Sequence, residues 1–256
     1  MKINHCKVIA IFFLIVLLPL FYACGGGGGG DSSGSAVVVQ NQSPAGIWKG
    51  TSYSSTTQKT YNLTGIVSKD NVTRFISDTN VQYNGLLSIN GNNITSTMTG
   101  IAPLGYVFLD GNQVISLSVS GTASSKNKID AIYNGGGEVG SISLTYDPSY
   151  DRESSFALTA GTWKITGGGV TYNLSANNSG VLTGSTSTGC TFTGNIIVID
   201  SAYNCYDIRL NMVSCGILNG NYTGLATLGD NIIANDTLII GASTSTASIT
   251  LGMLRQ

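Results

Sequence analysis

Histidine is almost missing from this chain. The single one is His5, so nothing after it can supply an imidazole. That removes Ser-His-Asp and Cys-His catalysis, and His-ligated zinc, copper and haem, from everything downstream. Charge is also scarce. Lys and Arg number 12, Asp and Glu 13, and the net charge is −1, which leaves neither a basic patch for nucleic acid nor an acidic run. Only 4 prolines interrupt the chain. No sustained helical period is found past the first two dozen residues. The glycines at 25–30 make no phosphate loop, because no strand precedes them and no Lys-Ser/Thr follows. What is present is glycine (34 residues), Ser, Thr and Asn in most polar positions, and apolar residues that alternate with them. This is a neutral, hydroxyl-rich β composition, with enough alternation to argue against disorder beyond a short N-terminal stretch.

Residues 1–23 have the parts of a secretory signal. Lys2 and Lys7 charge the start, residues 8–20 are apolar, and small Ala23 precedes Cys24. The apolar run is about 13 residues, against about 20 needed to cross a hydrocarbon core, so a removable signal fits better than a membrane helix. The stretch Leu20-Phe21-Tyr22-Ala23-Cys24 resembles a bacterial lipobox, with Phe21 where Leu is usual and Leu20 one step further out. The resemblance implies that Cys24 takes diacylglycerol on sulfur and becomes the new N-terminus. Gly25 in place of Asp implies delivery to the outer membrane. Each buried acyl methylene holds by roughly 0.8 kcal/mol. Residues 24–44, glycines then Asp31-Ser32-Ser33-Gly34-Ser35, read as a flexible linker with an end-to-end distance of roughly 25 Å.

An internal repeat organises the rest. Ala45-Gly46-Ile47-Trp48-Lys49 recurs as Ala160-Gly161-Thr162-Trp163-Lys164, and these are the only 2 tryptophans. Each is followed by a second shared word, Thr60-Tyr61-Asn62-Leu63-Thr64 and Thr171-Tyr172-Asn173-Leu174-Ser175. Two repeats of roughly 100 residues follow, at 45–147 and 160–256, joined by a charged segment at 148–159. The spacing of alternation and turn signals predicts strands at 46–53, 61–68, 72–77, 81–90, 93–99, 113–121, 128–134 and 139–147 in the first repeat. In the second it predicts 161–166, 170–176, 180–185, 190–199, 206–213, 217–227, 236–241 and 247–253. Eight locally joined antiparallel strands can close into an up-and-down barrel, which removes the exposed sheet edges. The predicted fold is therefore all-β, two tandem antiparallel up-and-down barrels. An eight-stranded barrel either fills with side chains or holds one small ligand.

Gly-x-Trp opening the first strand resembles the start of lipocalins and avidin-like barrels, which implies that Trp48 and Trp163 plug one end of each barrel. By the same likeness Arg255 is a candidate cover for Trp163. The whole chain also resembles a group of proteobacterial lipoproteins of unknown function with a Cys-polyglycine start and two β repeats. The residues that carry this are Ala45-Gly46-Ile47-Trp48, Ala160-Gly161-Thr162-Trp163, and Thr188-Gly189-Cys190-Thr191-Phe192-Thr193-Gly194 with Cys215 downstream.

Three cysteines follow the lipobox: Cys190, Cys205 and Cys215. An exported compartment permits disulfides. Cys190–Cys215 is the favoured pair, with Cys205 pairing to either left open. No C-x-x-C spacing points to a metal. Asp147, Asp151 and Glu153 are the one cluster of carboxylates with Tyr neighbours, and they read as a solvated hinge rather than a glycosidase pair. The chain reads as no enzyme and as needing no cofactor. It reads as a membrane-anchored envelope lipoprotein, periplasmic or surface-exposed, that binds an envelope or host protein or a small apolar ligand and no nucleic acid. The alternative is an envelope-assembly accessory without a small-molecule ligand.

Overall fold

Period-two alternation becomes strand almost throughout a computed structural model of the chain, which describes residues 40–256. The first half carries β1 (Gly46–Ser54), β2 (Lys59–Val67), β3 (Val72–Ser77), β4 (Gln82–Leu86), β5 (Ser88–Asn90), β6 (Asn93–Ile101), β7 (Val114–Ser124), β8 (Lys128–Gly135) and β9 (Glu138–Asp147). A 3-10 turn at Pro148–Asp151 and a single helical turn, α1 (Phe156–Thr159), lead into the second half. There follow β10 (Gly161–Gly167), β11 (Val170–Ala176), β12 (Val181–Thr186), β13 (Thr191–Val198), β14 (Tyr206–Val213), β15 (Gly220–Gly229), β16 (Thr237–Ser243) and β17 (Ser248–Arg255).

Both halves are closed, eight-stranded antiparallel barrels. In the first, β9 returns to β1, and β4 closes on β6 through Gln82–Ile101, Tyr83–Gly100 and Asn84–Thr99, with β5 as a short hairpin on β6. In the second, β10–β17 run in chain order and close through Trp163–Arg255 and Lys164–Leu254. The expected all-β, tandem-barrel architecture is the observed one.

Alternation fixes which side chains face in. Ile115, Leu117 and Val119 of β7 are buried, while Ser116, Ser118 and Ser120 between them are exposed. On β14, Tyr206, Ile208, Leu210 and Met212 are buried. Glycine makes room where a ring must cross the lumen. A Cβ at Gly65 would lie 2.6 Å from the Phe75 ring opposite it, and one at Gly184 would lie 1.9 Å from Phe192. Each ring therefore folds over a bare backbone.

Two expectations change. The strand predicted at 81–90 breaks at Leu87, whose amide donates to the Asn71 carbonyl at 3.1 Å while its side chain enters the core. The strand predicted from 217 begins instead at Gly220, because Gly216–Leu218 is a 3-10 turn, held by the Cys215 amide donating to Asn219 Oδ1 at 2.7 Å.

The segment between the barrels is not a solvated hinge. Tyr150 is 2% exposed. Its ring stacks on Tyr203 at 4.9 Å between centroids and meets Tyr146 edge-on at 6.3 Å. Asn204, buried, donates to the carbonyls of Ser149 at 3.2 Å and Leu228 at 2.7 Å, and so ties the segment to β15. Arg152 grips Asp230 with two bonds of 2.6 Å. The charges that suggested solvation are used as clasps.

Candidate functional site

Trp48 and Trp163 open their barrels in matched surroundings. Both are buried, and each indole Nε1 donates to the carbonyl four residues earlier, Pro44 or Thr159, at 2.9 Å. An indole N–H taken from water needs that acceptor. Each tryptophan is paired with the residue directly across on the last strand, Tyr146 or Arg255. Tyr146 meets Trp48 edge-on at 5.4 Å. Arg255 places its guanidinium carbon 4.1 Å from the centre of the Trp163 ring, and its Nη1 donates to the Ala160 carbonyl at 2.6 Å. Arg255 thus covers Trp163.

Inside the first barrel, a cavity of about 20 Å³ remains between Ser52, Leu63, Phe75, Tyr83, Met98 and Tyr133. That is space for a water, not for an organic ligand. The second barrel is filled by Trp163, Leu174, Phe192, Leu210, Tyr222 and Met253, all almost fully buried. The outer surfaces are the opposite, hydroxyl-bearing and thinly charged.

Cys190 and Cys215 are bonded, clipping the start of β13 to the loop after β14. Cys205 is free and buried, and burial pushes its thiol up to about 12, which keeps it an inert neutral thiol. Cys24, the residue singled out for lipidation, lies outside the described residues. Two of the three carboxylates are engaged in ion pairs: Asp147 meets Lys49 at 2.6 Å and caps the 3-10 turn, and Asp151 holds Lys126 at 2.7 Å and the Tyr146 hydroxyl at 2.9 Å, while Glu153 stands exposed and in no ion pair among the described residues. Among the described residues, no group of three His, Cys, Asp or Glu is placed to hold a metal ion.

The feature that sequence reasoning missed is the seam between barrels. The outward faces of β2, β3 and β4 meet β15, β16 and β17. Ile47, Ile66, Tyr150, Cys205 and Leu225 form one buried cluster across it. Arg74 Nη1 donates to Ser243 Oγ at 2.7 Å and its Nη2 to the Thr223 carbonyl at 2.8 Å. Gln82 Nε2 donates to the Ile249 carbonyl at 2.6 Å, and Lys69 meets Asp200 at 3.6 Å. These contacts lay the barrels side by side with their tryptophan ends on the same side. Burial draws the Arg74 guanidinium down to about 10, opposed by the field of Asp207, so it stays charged at neutral pH. The structure marks the seam on β3, which is buried on both faces past Val72, where a strand of a free-standing barrel would expose Arg74 and Ile76. Set against protein-family models, curated proteins and solved structures, the chain matches none.

Proposed function

We propose that the chain is a lipid-anchored protein of the bacterial cell envelope, held in the outer membrane through an acylated Cys24, periplasmic or surface-exposed, and that it is a non-catalytic binding module. Its partner, an envelope or host protein or a small apolar ligand, meets the outside of the paired barrels.

The observation that carries this reading is the polarity of the barrels. Apolar side chains fill the inside, and Ser, Thr and Asn take most outward positions, with scattered exposed apolar residues such as Ile132, Val139 and Val213 among them. A membrane-spanning barrel is patterned the other way, with an apolar outer band and a polar lumen. Among the described residues no helix is long and apolar enough to cross a membrane. Attachment then falls to the lipobox. A filled lumen, with about 20 Å³ left in the first barrel, moves recognition to the exterior. The loop between β6 and β7 is a natural contact point, because Tyr106, Val107 and Leu109 all stand exposed on it. It lies at the end of the barrel away from Trp48, where the chain enters from the linker.

The test is fractionation with intact-mass spectrometry of the chain and its Cys24→Ser variant in a Gram-negative host. The proposal expects the parent in the outer-membrane fraction with a diacylglycerol and acyl mass increment, and the variant lacking both. Equal partitioning of the two, or an unmodified Cys24, contradicts the anchor. A deletion strain with defective envelope assembly and no binding partner would favour the accessory role instead.

A further inference from the structure

The seam carries buried polar chemistry that the fold does not use. Five side-chain polar atoms are buried without a hydrogen-bond partner among the described residues, and four belong to Ser68, Arg74, Gln82 and Asn84, all at the seam. Native folds leave few such groups, so their gathering in one place calls for a missing partner. Two of the four residues, Ser68 and Arg74, line a cleft of about 370 Å³ that runs along the seam. Both are more than nine-tenths buried, and the atoms left over are the Ser68 hydroxyl and the Arg74 Nε–H.

The charge at Arg74 is answered only in part, by the field of Asp207 and by no direct ion pair. Its bonded acceptors, Ser243 Oγ and the Thr223 carbonyl, are neutral, and it is in no ion pair among the described residues. Asp207, which shares the cleft, is already held by Arg209 at 3.2 Å. Asp70 stands on the exposed rim, where water screens it. A buried guanidinium without a directly bonded anion is costly, and its planar donor edge fits a carboxylate or phosphate. Beside it the cleft wall is apolar, formed by Ile197, Ile199 and Leu225. The size suits a small organic molecule.

We propose that this cleft binds a small organic anion, its carboxylate or phosphate paired with Arg74 and Ser68 and its apolar part laid on Ile197, Ile199 and Leu225. The inference rests on the binding role proposed above and gives it a ligand class. It can fail alone, because a protein partner on the outer loops does not need the cleft.

The test is titration of the full-length chain with hexanoate, monohexyl phosphate and hexan-1-ol, followed by ligand-observed NMR and calorimetry. Saturable binding of at least one anion is expected, with the alcohol weaker by roughly tenfold or more. Preference for hexanoate assigns a carboxylate ligand, and preference for the phosphate ester assigns a phosphate headgroup. Arg74→Met should weaken anion binding by roughly tenfold or more, and Arg74→Lys should retain part of it. Should circular dichroism show Arg74→Met unfolded, Ile197→Trp decides, since it fills the cleft from its wall and leaves the buried charge in place; it should abolish binding. The proposal is overturned by an absence of saturable anion binding, by equal binding of the alcohol, or by anion binding that Arg74→Met, or Ile197→Trp where that variant decides, leaves unchanged.

Discussion

Tyr146 and Arg255 occupy the same place in their two barrels. Each lies on the last strand, directly across from the tryptophan of the first, and each covers that tryptophan. One barrel closes with an aromatic ring and the other with a cation, so the repeat has kept the geometry and changed the chemistry. The covers are not equivalent in energy. Arg255 adds a cation–π contact and bonds to the Ala160 and Leu158 carbonyls, which tie the chain before β10 to the end of β17.

Arg255→Met should therefore destabilise the second barrel by about 1–3 kcal/mol through loss of the ring contact and the carbonyl bonds. The closure of β10 on β17 is only two residue pairs long, so fraying should start there. Chemical denaturation followed by Trp fluorescence checks this, and Arg255→Lys should recover only a fraction.

The disulfide is expected to contribute about 3 kcal/mol by closing its loop in the unfolded chain. Cys190→Ser with Cys215→Ser should lower by that measure the stability read from the single transition that the two barrels share. In the native protein Cys205 should resist a thiol reagent up to mildly alkaline pH, since burial holds its pKa near 12. Labelling that keeps pace with unfolding, counted by mass, is the expected observation.

The seam should make the barrels melt as one. Ile76 packs on bare Gly241, where an added Cβ would lie 2.7 Å from its Cδ1. Gly241→Leu must push the barrels apart, at about 1–3 kcal/mol for overpacking. Calorimetry of the parent should show one transition, and of Gly241→Leu two.

The Arg152–Asp230 clasp sets a pH dependence. Bonds from Arg152, then from the Asn235 amide, hold the Asp230 carboxyl down at about 2 against an ordinary 3.8. A folded-state value below the unfolded one means that the stabilisation is full above about pH 4 and is lost as pH falls through 2. Both side chains are partly exposed, so the gain is at most about 1 kcal/mol. The stability gap between the parent and Asp230→Asn should close over that window, and 1 M salt should narrow it at neutral pH.

The barrels were legible in the sequence because each strand needs only its own alternation and its own turn. Ser116, Ser118 and Ser120 set against Ile115, Leu117 and Val119 give β7 its faces without reference to any other strand. The disulfide pair followed from strand ends in the same way. The seam was not legible, because it depends on which outward faces meet. Arg74 in Val72-Thr73-Arg74-Phe75 reads as an ordinary exposed charge until β15 and β16 are laid against it. Asp147 and Asp151 misled for a related reason: charge suggests solvent, and only the positions of Lys49 and Lys126 show that it is spent on ion pairs. Leu87 breaks a strand that local pattern supported, at the point where its side chain turns into the core.

The central claim is that recognition happens on the outside of one solid two-barrel body. It is tested most directly by site-specific photo-crosslinking in living cells, with a diazirine residue placed outward at Tyr106 or Ile217, or inward at Met98 or Leu210. The account predicts discrete adducts from outward positions and only intramolecular products from inward ones. A small-molecule adduct captured at Met98 or Leu210, with none from the outward positions, would contradict it.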